Sequence, residues 1–139
     1  MWITILQVAL SSAAVAGPKE DALHVLDQWA KAFTDAIVKL HAPDALFMGT
    51  ASKAVVVKTE GVRAYFENAL LNNRPRGAKL TDYTALELSD STVAVSGLGA
   101  LTSVREGKPF VTTGRVTFVV AKRGTDWQIV QFHRSPVPN

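Results

Sequence analysis

Arg134 ends an alternating stretch, residues 127–134, in which Trp127, Ile129, Gln131 and His133 form one set and Gln128, Val130, Phe132 and Arg134 the other. Both sets are largely apolar, the pattern of a strand covered on both faces. An arginine placed there cannot shed its proton and needs a partner for its charge. Arg134 is therefore the leading candidate for holding an anionic group such as a carboxylate, against the plainer reading of a salt bridge at the sheet edge. His133 titrates in the range useful to a general base, but alternation sets it opposite Arg134, which favours a structural hydrogen bond or a subunit contact. Asp82 alternates in phase with Leu80, Leu86 and Leu88, so it is the acid expected nearest the interior. An apolar setting there would raise its pKa and suit it to proton transfer. Trp29, Phe33, Tyr65, Phe66 and Phe118 stand at core spacings and could in addition line a cavity, Tyr65 first, because its hydroxyl wants a partner.

Other chemistries have no foothold. His24, His41 and His133 lack metal-ligand spacing, and the chain has no cysteine, so neither a metal centre nor a disulfide is expected. Dinucleotide, Walker and nucleophile-elbow motifs are missing, and no cofactor is implied. Ser135 adjoins His133, but neighbouring strand residues face apart, so the two do not form a nucleophile and base.

The elements that must position these residues are legible in the periodicity. Pro18 opens a helix with Glu20 and Asp21 in its first turn. Ala22, Leu26, Trp29, Phe33, Ala36, Ile37 and Leu40 make one apolar stripe, which predicts a single long helix. Asp27–Lys31 and Asp35–Lys39 are i,i+4 pairs on its solvated side. Pro43 follows the break, residues 45–48 and 54–57 read as short strands, and a second helix runs from Thr59 to Leu71. Strands follow over residues 80–88, 92–104, 110–121 and 127–134, joined by short polar turns as in an antiparallel meander. Helices first and sheet second is an α+β layout, with the sheet curled around the long helix. Gly97, Gly99 and Gly114 mark places where the sheet bends or a neighbour comes close, and could thin its inner wall to leave a cavity. The alternate set Val111, Thr113, Arg115, Thr117 and Val119 is expected to meet a second copy, giving a homodimer or a higher homo-oligomer.

Composition bounds the partners. With 139 residues, 47% hydrophobic and 19% charged, residues 17–139 suit one globular domain. The net charge of +3 is scattered. Its densest group, Arg74, Arg76 and Lys79, has no interleaved aromatics, so no nucleic-acid partner is expected. Residues 1–16 carry no charge, with an apolar run over 2–10 and small residues before Gly17. They read as an export signal, too short to span a bilayer, and so predict a periplasmic or secreted protein with no membrane contact in its mature form. The missing basic residues ahead of the run leave a disordered tail on a cytoplasmic protein as the alternative.

Trp127-Gln128-Ile129-Val130, then Phe132-His133-Arg134-Ser135 and Pro138, preceded by Tyr65-Phe66-Glu67-Asn68 on a helix, carry a resemblance. From Pro18 to Pro138 the chain resembles the association (hub) domain of calcium/calmodulin-dependent protein kinase II, within the nuclear transport factor 2-like superfamily and related to SnoaL-like proteins. The resemblance implies a cone-shaped, curved antiparallel sheet around an N-terminal helix, also called a cystatin-like roll. It also implies a pocket that takes small carboxylates through arginines. Carried over residue by residue, only Arg134 keeps its type: Phe118 and Gly97 stand where the hub has its other pocket arginines, and Val62 and Ile37 where it has a histidine and a tyrosine. Three functions follow as expectations. The first is a binding module with Arg134 on a small carboxylate beside Trp29, Phe33, Tyr65 and Phe118. The second is a SnoaL-like isomerase, cyclase or hydrolase using Asp82 or His133. The third is a purely oligomerising domain.

Overall fold

The computed structural model describes residues 16–32, 34–71 and 77–139. Nearly all of the expected export segment, the candidate Phe33, and residues 72–76 with Arg74 and Arg76 lie outside them. Helix α1 (Pro18–Lys31) starts at the proline, carries Glu20 and Asp21 in its first turn and Lys31 in its last, and buries Ala22, Val25, Leu26 and Trp29. The expected single helix does not continue. Ala32 is extended (φ −79°, ψ 159°) and a separate α2 (Thr34–Leu40) follows. A straight rod meets a curved sheet along only part of its length, and the break re-aims the second piece: Ile37 and Val38 are buried while Ala36, counted on the stripe, is exposed.

Strand β1 (His41–Met48) follows at once, then α3 (Thr59–Leu71), β2 (Gly77–Ser89), β3 (Thr92–Arg105), β4 (Lys108–Arg123) and β5 (Asp126–Pro136). Among the described residues these strands form one unclosed sheet in the order β1-β5-β4-β3-β2. β2 to β5 are the expected antiparallel meander, but β1 lies parallel to β5, so the sheet is mixed. Pro43 falls in the gap of that ladder between the His41–Ile129 and Leu46–Gln131 pairs, where a missing N–H leaves no partner unsatisfied. The strand expected over residues 54–57 reduces to one bridge, Phe47 with Val56.

Two bulges decide which side chains face inward. On β5, Ile129 pairs with Val120 and Gln131 with Val119, so Val130 is an extra residue. Trp127 and Ile129 point to the core before it, Phe132 and Arg134 after it. The strict alternation expected for this strand therefore slips by one, and only one of its faces is deeply buried. On β2, Thr81 is extra between the Leu80–Gly99 and Asp82–Leu98 pairs. Leu80 packs on the core, and Asp82 is turned to the exposed side.

The three helices of the described residues cover the same face of the sheet, where Phe47, Val93, Val95, Phe118, Val120 and Ile129 are fully buried. Among the described residues, no helix is long and apolar enough to cross a membrane.

Candidate functional site

Arg134 lies on the inner face of β5, only 9% exposed. Its side chain leans along β4, where Nη1 donates to Thr50 Oγ1 at 2.8 Å and Nη2 to the Thr112 carbonyl at 3.3 Å; Nε is buried with no partner. Among the described residues, no carboxylate is within ion-pair distance of it. The charged pairs among the described residues are Lys31–Asp27, Arg63–Asp35 and Arg123–Asp44, all on the surface. The salt-bridge reading of Arg134 is thus replaced by a buried cation held on neutral oxygens. Burial pushes its pKa down and the nearby Tyr65 phenol pulls it back up, but a guanidinium still keeps its proton.

Two glycines make the close approaches possible. A side-chain carbon at Gly114 would stand 2.6 Å from the Arg134 Cζ, so the guanidinium rests on bare β4 backbone. A side-chain carbon at Gly49 would overlap the Tyr65 ring, which lies against the turn after β1. Gly97 admits the close approach of β2 at Asp82 and Tyr83 and does not line the cavity beside Arg134.

That cavity holds about 160 Å³ and opens between α1, α3, the turn over residues 49–53 and the ends of β3 and β5. Trp29, Tyr65, Phe66 and Phe132 form its aromatic wall; Arg134, Thr50, Thr102 and Ser103 bring polar groups. Trp29 packs edge-on to Phe66 and Phe118 at 6.3 and 5.2 Å and tilted on Phe132 at 5.4 Å, which ties the wall to the core.

The sequence candidates separate cleanly. Arg134, Tyr65 and Trp29 meet at the cavity. Phe118 is fully buried behind it and lines only a void of about 20 Å³ next door. Asp82, expected near the interior, is exposed because the Thr81 bulge flips it outward. His133 faces away from the cavity, paired across β4 with Thr117. Among the described residues of the cavity wall there is no carboxylate and no imidazole. Among the described residues, no group of three or more His, Cys, Asp or Glu could hold a metal ion. Thr50 was not foreseen; the only hint was that a buried arginine must find oxygen acceptors somewhere.

Residues 18–138 match the profile of the calcium/calmodulin dependent protein kinase II association domain. The chain belongs to this family. Among solved structures, this association domain is similar to a proposed kinase II association domain of Xanthomonas campestris (26% identity, 84% of this chain and 82% of that chain, TM-score 0.74). A nuclear transport factor 2-like superfamily protein of Salmonella enterica serovar Typhimurium (21% identity, 87% and 92%, TM-score 0.71) shares the fold. So does a proposed dehydratase of the same superfamily from Streptomyces avermitilis (15% identity, 88% of this chain and 98% of that chain, TM-score 0.77). No curated protein matches the sequence.

Proposed function

We propose that this association domain binds a small carboxylate in the cavity beside Arg134. The observation that carries the reading is the buried guanidinium itself: a largely desolvated cation with no anionic partner among the described residues, in the wall of an open cavity. The aromatic wall supports an apolar body joined to the anionic group. The volume, well short of the roughly 300–1,000 Å³ of pockets for drug-sized ligands, supports a small one. Asp82 and His133 stand away from the cavity, so proton transfer by them is not part of this reading.

The test is a melting-temperature panel of benzoate, phenylacetate and short aliphatic acids on the wild type and on Arg134→Met. A ligand at a hundred times its Kd stabilises by about 2.7 kcal/mol. The expected result is a shift with at least one aromatic acid in the wild type and none in the variant. Equal shifts in both proteins, or none in either, would remove the anion site.

A second reading, self-association, is supported by the other face of the sheet. Leu86, Ala94, Val119, Gln131 and Leu46 are successive cross-strand partners and form one row across all five strands. Its ends, Leu86 and Leu46, are 59% and 50% exposed. The two readings use opposite faces and are compatible.

A further inference from the structure

We propose that Thr50 is the second hydrogen-bond donor of the anion site, so that a bound carboxylate is gripped by Thr50 and Arg134 together. The inference rests on the carboxylate reading above and names the residue that makes the site selective.

Thr50 Oγ1 accepts a hydrogen bond from Arg134 Nη1 at 2.8 Å. A hydroxyl that accepts through its oxygen still carries its own proton. That proton cannot return to the guanidinium, which has no acceptor. Thr50 is exposed and lines the cavity, so its proton has the cavity as an outlet. Accepting from a cation also polarises the O–H and makes it a better donor, since successive hydrogen bonds reinforce one another.

The position of the hydroxyl is set by the turn that carries it. Gly49 N–H donates to Ser52 Oγ and Ser52 N–H to the Gly49 carbonyl, both at 3.0 Å, which closes residues 49–52 into a tight loop. The Tyr65 ring lies against Gly49, where any side chain would collide with it. The turn that carries Thr50 is therefore held by its own hydrogen bonds and by the ring against Gly49, and the Thr50 hydroxyl, already bonded to Arg134, is placed before a ligand arrives. The occupant that matches a cationic donor beside a polarised neutral donor is a planar monoanion with two acceptor oxygens. A doubly charged phosphate would leave charge unmatched beside a single buried cation.

Benzoate and its uncharged isostere benzamide serve as probes, titrated calorimetrically into the full chain. Thr50→Val keeps the shape and removes the hydroxyl. It should weaken benzoate by about tenfold or more and change benzamide far less, and Thr50→Ser should restore what Thr50→Val loses. Thr50→Asp supplies the missing carboxylate internally: it should abolish the benzoate response and raise the melting temperature, and the rise should vanish when Arg134→Met is added. Benzoate binding unchanged in Thr50→Val would overturn the role of Thr50 while leaving the anion site in place. So would a benzoate response that survives Thr50→Asp. A wild type that binds no probe at all would overturn the anion site, and this inference with it.

Discussion

The Arg134 guanidinium is buried on neutral oxygens against a stretch of bare backbone. Gly114 supplies that: its neighbour across the ladder gap is the Arg134 side chain, packed where a methyl group would stand. Gly114→Ala should therefore push the guanidinium off the Thr112 carbonyl, costing about 1–3 kcal/mol by overpacking, and should weaken carboxylate binding. The cost should shrink when Arg134→Met removes the colliding group. Denaturant melts of both single variants and the double variant measure that non-additivity; a cost unchanged in the double variant would show that Gly114 serves the sheet and not the arginine. At this scale the sequence pointed to Arg134, because a buried cation announces its need for a partner. It could not point to Gly114 as its seat, since the approach is diagonal across two strands.

At the scale of elements, single-residue bulges outweigh residue type. One extra residue at Val130 brings Phe132 and Arg134 to the face already occupied by Ile129, and one at Thr81 sends Asp82 to the other side. Alternation read from sequence has a period of two and carries no mark of where it slips. The junction of α2 and β1 holds another consequence. His41 is buried, its Nδ1 donating to the Ile37 carbonyl at 2.9 Å, with the Phe47 and Phe66 rings 5.7 and 6.0 Å away and Nε2 without a partner. Burial lowers its pKa below the ordinary 6.5, and the Ile37 bond offsets this only in part. The folded chain thus binds this proton less readily than the unfolded chain. Stability is unaffected by His41 above the unfolded pKa and falls as pH drops below it, down to the depressed folded value, by at most about 1.4 kcal/mol per pH unit. Chemical denaturation from pH 7.5 to 5 should show the decline, and His41→Leu, which cannot take up a proton, should flatten it. An identical slope in that variant would assign the decline to other groups.

At the scale of the whole molecule, one face of the sheet is covered by helices and, among the described residues, the other is not. The uncovered face carries the Leu86–Ala94–Val119–Gln131–Leu46 row, flanked by a polar row in which Ser96 and Thr117 hydroxyls bond at 3.0 Å and by the Arg115–Ser135 pair at 3.2 Å. Polar groups bonded within the sheet leave the apolar row free to meet another surface, and an association domain offers an identical one. Val119→Lys, at the middle of the row, should lower the mass seen by light scattering after gel filtration, while Lys122→Glu, on the exposed rim of β4, should not. A wild type that is already monomeric at working concentration, or a Val119→Lys protein of unchanged mass, would show that this face does not join copies.

Periodicity by itself determined the α+β class, the four-strand meander and the start of α1, because amphipathic spacing and turn residues act locally. The motif around Arg134 and Tyr65 carried the family, and the need to pair a buried charge singled out Arg134. Tertiary structure alone decided the break at Ala32, the parallel pairing of β1, the outward turn of Asp82, and the meeting of Thr50 with Arg134 across 84 residues. Each of these is a choice among local conformations of similar energy, settled only by what the rest of the curved sheet leaves room to bury.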